Sequence, residues 1–345
     1  MKLNKLGESG LRVSEICLGT MTWGEQNSER DAQLQLDFAR DHGINFIDTA
    51  EMYPVPPSAR TYARTETYLG AWLPRQKRDQ LIVASKVAGP GRRDWVRGGR
   101  TELTRENISG ALNDSLRRLR TDYLDLYQIH WPGRNVPMFG VTRFDPGKEA
   151  QAIPVLEQIE TMAGLIKAGK IRHYGLSNET TWGLCEFARV ARAHGLPSPL
   201  TIQNAYSLLN RMFDGELAEA SFREKVPLLA YSPLAMGMLS GKYAGGAMPP
   251  RARLALFADF GERYKRELAR TAAEEYGRLA QSRGLSPVEM ALAFVRTRWF
   301  VASTIVGATD LAQLKQNIDS VKVELDAETL SGIDAIHQRY PNPSA

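Results

Sequence analysis

In the stretch "INFIDTAEMYPVPP", Ile44 to Pro57, an apolar run delivers a carboxylate, Asp48. Five residues later comes a phenol, Tyr53, just ahead of a Pro-Val-Pro-Pro segment that neither a helix nor a central strand accepts. A lysine, Lys86, closes "LIVASK" and a histidine, His130, closes "LDLYQIH". Brought to one place, these four groups can protonate a carbonyl oxygen. A free phenol, with a pKa of about 10, is a poor donor at neutral pH. An ammonium beside it favours the phenolate and draws that pKa toward the working range. A carboxylate keeps the ammonium charged in poorly solvated surroundings, and a histidine can orient a substrate oxygen as charge grows on it. Each residue alone has a structural explanation: Asp48 as a helix cap, Lys86 as a snorkelling side chain, His130 as a bonded core histidine. The set is harder to explain that way. No side chain supplies hydride, so carbonyl reduction here calls for a nicotinamide cofactor.

Other chemistries lack their residues. "GLSNE" has no second glycine, so no serine-nucleophile elbow is present. The five histidines (42, 130, 173, 194 and 337) show no i, i+4 pair and no cysteine pair, so no metal is expected. "GMLSGKY", Gly237 to Tyr243, is one residue short of a Walker A loop and has Tyr243 where Ser or Thr must hold magnesium. It keeps a glycine-bearing loop with Lys242, which can cradle a phosphate by backbone N–H groups and charge. A G-x-G-x-x-G turn is missing, which argues against a Rossmann site.

These residues need elements to position them. Eight short apolar strands alternate with amphipathic helices: "EICLG", "NFID" (45–48), "LIVASK" (81–86), "LDLYQIH" (124–130), "IRHYGLS" (171–177), "TIQNAY" (201–206), "PLLAYS" (227–232) and "STIVG" (303–307). Helices are marked by Ser28 and Gly43 at the ends of the first, and by Thr104 before a face of Ile108, Ala111, Leu112, Ser115, Leu116 and Leu119. Another carries Leu156, Ile159, Ala163 and Ile166, with Gly169 past its end. Eight strand–helix units without a linker predict an α/β fold, a closed (β/α)8 TIM barrel over residues 1–345 as one domain, with a doubly wound sheet as the alternative. The opening "KLNKLGESGLRVSE" reads as a hairpin capping the barrel bottom. In such a barrel the strand ends carry the site: Asp48, Lys86, His130, Ser177 with Asn178, Gln203 with Asn204, and Tyr231 with Ser232. Long loops at 87–103, 131–151 and about 237–260 are expected to be functional.

Composition agrees with a soluble globular protein: 43% hydrophobic and 24% charged residues in 345. No apolar run reaches the roughly 20 residues of a membrane helix, and the N-terminus lacks a signal-peptide core, so a cytoplasmic protein is expected. Cys17 and Cys185 read as reduced thiols. The net charge of +5 is diffuse. Its one dense run, "GRRDWVRGGR", reads as a solvated loop, although its arginines (92, 93, 97 and 100) could also meet an anionic substrate. No nucleic-acid partner is expected.

The ordered motifs "LGTMTWG", "NFIDTAEMYP", "ASKVAG", "YLDLYQIHWP", "GKIRHYGLSNE", "IQNAYSLLNR", "AYSPLAMGMLSGKY" and "GATDLAQLKQN" resemble those of the aldo-keto reductases over residues 1–340. The long loops and "AEMYPVPP" resemble the bacterial Tas-like branch, and the chain is similar also to the potassium-channel β-subunit branch. The resemblance implies a tetrad of Asp48, Tyr53, Lys86 and His130, with Tyr53 the general acid in reduction of a small-molecule carbonyl. It implies NADPH lying across the barrel mouth. Ser177, Asn178 and Gln203 would hold the carboxamide, Tyr231 would stack on the nicotinamide, and Gly19, Thr20 and Met21 would line the site. Ser232, Pro233, Leu234, Gly237 and Lys242 would wrap the pyrophosphate, and Gln313 and Asn317 would approach the adenosine, where the bland reading is an exposed helix face. Where many members carry a Lys-Ser pair and an arginine for the 2′-phosphate, Gly307, Ala308 and Gln313 stand instead; Lys242 and Arg253 match the channel-like arrangement. Trp23, Tyr53, His130 and Trp131 are expected at the substrate, with Trp95 and Met138 as loop packing. The alternative is an NADPH-sensing regulatory or binding protein of the same fold with slow turnover.

Overall fold

Two short antiparallel strands, β1 (Leu3–Lys5) and β2 (Arg12–Ser14), open the chain as a hairpin with Lys5 opposite Arg12. Eight parallel strands follow: β3 (Ile16–Gly19), β4 (Phe46–Asp48), β5 (Ile82–Val87), β6 (Leu124–Ile129), β7 (Ile171–Ser177), β8 (Ile202–Ala205), β9 (Leu228–Tyr231) and β10 (Val301–Val306). Each pairs with the next in chain order, and β10 pairs back onto β3 to close a barrel. A doubly wound sheet is thereby excluded. The structure, a computed structural model, describes residues 1–91 and 94–345.

Helices between the strands form the outer layer, and local signals fix their ends. Ser28 accepts from the Asp31 amide while the Asp31 side chain returns to the Ser28 amide, a capping box that starts Glu29–Asp41. Thr104 accepts from the Asn107 amide and starts Arg105–Leu119, whose buried face includes Ile108, Ala111, Leu112, Ser115 and Leu119 as expected. Gly43 and Gly169, at φ +84° and +71°, supply the left-handed residue just past two helix ends. In Val155–Lys167 the buried stripe differs from the expected one: Ile159 is shared, but Met162 and Leu165 face the barrel instead of Ala163. The larger side chains take the buried face, and Leu156 and Ile166 pack at its edge.

The barrel interior has two storeys. The lower one is apolar: Cys17, Phe46, Ile82, Ala84, Leu126, Leu229, Ala302 and Ile305 pack with Leu6 and Val13 of the hairpin region. Leu6 and Val13 are fully buried, and the Asn4 side-chain amide donates to the Ala302 carbonyl (2.9 Å). The hairpin thus plugs the end where the strands begin. The two-residue period of a strand then dictates the upper storey. Above Phe46 comes Asp48, above Ala84 comes Lys86, and above Leu126 comes Gln128. The upper storey is polar and opens at the end where the strands finish, where the three long loops also lie. Cys17 and Cys185 are both free. Among the described residues no helix is long and apolar enough to cross a membrane.

Candidate active site

Lys86 sits at the centre of the upper storey with no exposed area. Burying an ammonium costs several kcal/mol unless it is paired and hydrogen-bonded. Here Nζ donates to Asp48 Oδ2 (2.6 Å), to the Thr49 carbonyl (2.9 Å) and to the Tyr53 hydroxyl (3.4 Å). The other carboxylate oxygen of Asp48 accepts from Gln128 Nε2 (3.1 Å) and Gln203 Nε2 (2.9 Å). Both oxygens of the buried carboxylate are therefore satisfied. His130, one residue past β6, extends the ladder through its amide to the Val87 carbonyl (2.9 Å). Its ring meets Tyr53 edge to face, with centroids 5.7 Å apart. The four sequence-predicted residues come together as one cluster.

Burial works against the Lys86 ammonium, but Asp48 and then Tyr53 outweigh it and hold its pKa above the ordinary lysine value. The phenol departs from expectation. Desolvation pushes the Tyr53 pKa up, and the opposing pull of Lys86 does not overcome it. Tyr53 therefore keeps its proton at neutral pH, and Lys86 limits the cost of the phenolate that donation leaves behind.

Asp48, Tyr53 and His130 line a cavity of about 1370 Å³, with Lys86 buried behind them; it is larger than the roughly 300–1,000 Å³ of ordinary small-molecule pockets. Gly19, Thr20, Met21, Ser177, Asn178, Gln203, Tyr231, Ser232, Pro233, Leu234, Gly237, Lys242, Arg253, Gly307, Gln313 and Asn317 all line it. Asn178 stands at φ +52°, donates to the His130 carbonyl (2.9 Å) and accepts from the Tyr231 hydroxyl (2.6 Å). Burial raises the Tyr231 pKa to about 12. Lys242 and Arg253 have no carboxylate ion pair among the described residues; Arg253 donates only to Gln26 Oε1 (3.2 Å) and approaches Met21 Sδ (3.8 Å). Burial, and for Lys242 the nearby Arg253, lowers the pKa of both. Two cations on one cavity wall, with Asp310 near Lys242 but not ion-paired to it, are the donor set a phosphate requires.

Several expectations are corrected in detail. Trp23, expected at the substrate, does not line the cavity: it is fully buried in the main core and donates to Gln35 Oε1 (3.0 Å). Gln313 lines the cavity, but its side chain is engaged at its helix start, donating to Asp310 Oδ2 (2.8 Å) and accepting from Thr309. Asn317 is buried, not on an exposed face, and donates to the Gly307 carbonyl (3.2 Å). The amides of Ala235, Gly237 and Leu239 bond within their own loop, so at these positions Lys242 rather than the backbone faces a ligand. Trp95 and Met138 are loop packing, as expected. Arg97 is not solvated but ion-paired with buried Glu51, and Arg100 is exposed; Arg92 and Arg93 lie outside the described residues.

Sequence reasoning missed Gln128 and most of the apolar wall. Gln128 lies two residues before His130, so the strand period points it inward too. Of that wall only Trp131 was expected; Met52, Val55, Phe139 and Phe260, which distant loops bring beside it, were not. No group of His, Cys, Asp or Glu among the described residues could hold a metal ion.

A family model described as the Aldo/keto reductase family matches residues 15–338. The chain is 50% identical over 347 residues to "Protein tas" of Escherichia coli strain K12, covering all of both chains. It is 32% identical to "Uncharacterized oxidoreductase YrpG" of Bacillus subtilis strain 168, over 99% of this chain and 97% of the other. It is also 30% identical to "Probable voltage-gated potassium channel subunit beta" of Oryza sativa subsp. japonica, over 99% and 98%.

Proposed function

The chain belongs to the aldo/keto reductase family, and from that premise we propose that it is an NADPH-dependent carbonyl reductase, one catalytic unit over residues 1–345, with Tyr53 as its general acid. The observation that carries this reading is the position of Lys86 Nζ, which bridges the cavity-lining Asp48 and Tyr53 from beneath, with His130 across the phenol ring. When bound, NADPH supplies the hydride that adds to the carbonyl carbon. Tyr53 passes its hydroxyl proton to the carbonyl oxygen as negative charge develops there. Lys86 steadies the resulting phenolate, Asp48 keeps Lys86 charged and in place, and His130 orients the oxygen before transfer.

The donor set fits the cofactor. Ser177, Asn178 and Gln203 would hold its carboxamide and the Tyr231 ring its nicotinamide face, beside Gly19, Thr20 and Met21. Ser232, Pro233, Leu234, Gly237 and Lys242 would take the pyrophosphate, Lys242 and Arg253 the 2′-phosphate, and Gly307, Gln313 and Asn317 the adenosine end. The apolar wall of Met52, Val55, Trp131, Phe139 and Phe260 favours a hydrophobic or aromatic aldehyde or ketone.

The test is NADPH consumption, followed by absorbance, with an activated aromatic aldehyde. Tyr53→Phe should lose about 10²–10⁴-fold in kcat while still binding NADPH. Undiminished turnover in that variant refutes the assignment. Tight NADPH binding with no reduction across a broad carbonyl panel would instead favour a cofactor-sensing protein.

A further inference from the structure

The contact that places the phenol over the lysine is long. Tyr53 OH lies 3.4 Å from Lys86 Nζ, beyond the usual 2.7–3.2 Å of an N–H···O bond. Something other than that bond must hold Tyr53 where it is. Glu51 stands two residues before Tyr53 in the loop after β4 and is fully buried. Its amide donates to the Lys86 carbonyl (3.3 Å), and its Oε1 accepts from the Ala88 amide (2.5 Å). The loop bearing Tyr53 is thus fastened to the strand end bearing Lys86 at two points. A buried carboxylate in this role needs a counter-charge. Arg97 provides it: its guanidinium pairs with Glu51 Oε1 and also donates to the Ala88 carbonyl (3.4 Å). Arg97 arrives from the long loop that follows Lys86, at φ +49° and followed by Gly98 and Gly99 at positive φ. A non-glycine residue in that region is strained, and the ion pair is what that conformation reaches.

We propose that Glu51 and Arg97 form a buried strap that sets the placement of Tyr53 against Lys86, making Arg97 a positioning residue for proton donation. The inference rests on Tyr53 being the proton donor. A second buried pair close by serves as the control. Arg118 donates to Glu66 Oε2 (2.7 Å), and Glu66 accepts from Ser85 (2.5 Å); neither hydrogen-bonds the segment from Glu51 to Tyr53, and Arg118 touches the same loop only through the Tyr62 ring, 6.0 Å from its guanidinium.

Four variants of the full chain decide the matter: Arg97→Met, Glu51→Gln, Arg118→Met and Tyr53→Phe. Each is measured for kcat, carbonyl KM, NADPH dissociation constant and thermal midpoint. A displacement of about 1 Å can cost as much as 10²-fold in rate. Arg97→Met should therefore lower kcat by roughly 10- to 100-fold, with NADPH affinity within about twofold of wild type. Arg118→Met should lower the thermal midpoint comparably and leave kcat near wild type. If Arg97→Met and Arg118→Met lower the midpoint alike and neither changes kcat, the strap is merely structural and the proposal is overturned. If Arg97→Met does not fold, Glu51→Gln decides: a lowered kcat at unchanged NADPH affinity supports the strap, and a wild-type kcat overturns it. Tyr53→Phe separates the two readings. Full activity there removes the proton-donor assignment itself, whereas an inactive Tyr53→Phe beside a wild-type Arg97→Met removes only the strap.

Discussion

At the scale of single residues, the two cations of the cavity wall give the reading a pH signature. Lys242 has its pKa lowered by burial and then by Arg253. A phosphate placed between the two would restore the proton's hold on Lys242, so the complex binds that proton more tightly than the free protein does. NADPH affinity should therefore fall as pH rises through the range where free Lys242 deprotonates. NADH shares the pyrophosphate but lacks the 2′-phosphate, so its affinity should fall less steeply than that of NADPH over the same range. Fluorescence titrations of both cofactors between about pH 7 and pH 10 measure the difference, and Lys242→Ala should abolish it. Equal pH dependence for the two cofactors would show that Lys242 does not read the 2′-phosphate. Arg253 has its own pKa lowered by burial, yet as a guanidinium it stays charged throughout that range, so Lys242 alone sets the slope.

At the scale of elements, glycine governs how Lys242 is presented. Gly237 stands at φ +97°, and a Cβ there would lie 2.8 Å from Lys242 Cε. Gly237→Ala should both strain the loop, by about 1–2 kcal/mol, and push the ammonium aside. We expect the KM for NADPH to rise roughly tenfold, the equivalent of about 1.4 kcal/mol, with kcat preserved; an unchanged KM would leave Gly237 without a part in cofactor binding. The elements themselves were largely readable in the sequence. Ser28, Gly43, Thr104 and Gly169 mark helix ends because capping and left-handed geometry are local properties, decided within four residues. All eight barrel strands announced themselves through short apolar runs, and so did the polar residues ending them. What could not be read depends on which side of a segment faces the core. Trp23 looked like a pocket aromatic because it follows "LGTMT" closely, but its indole is held inside by Gln35. Arg97 looked solvated in a basic, glycine-rich run, because its partner Glu51 lies 46 residues earlier. The direction of the Tyr53 shift was likewise hidden, since desolvation depends on every neighbour that excludes water, not on Lys86 alone.

At the scale of the whole molecule, stability and chemistry occupy opposite ends of the barrel. The hairpin plugs one end with Leu6 and Val13, and the loops frame the other. Leu6→Ala removes a fully buried side chain and should cost about 2–5 kcal/mol in denaturant unfolding, while kcat/KM for the carbonyl stays at the wild-type value. A parallel loss of kcat/KM would mean that the two ends are coupled through the interior. Under the proposed reading the molecule works among aldehydes and must survive them, and here the arrangement around Lys86 has a chemical consequence. All three N–H bonds of its ammonium point at protein oxygens, and its pKa lies above that of an ordinary lysine. Nitrogen in that state has no lone pair to attack a carbonyl carbon, so the deepest amine of the site is closed to condensation with the substrates that pass above it. Prolonged exposure to an aldehyde with cyanoborohydride, followed by peptide mass mapping, should find alkylation on exposed lysines such as Lys5 and Lys225 and none on Lys86.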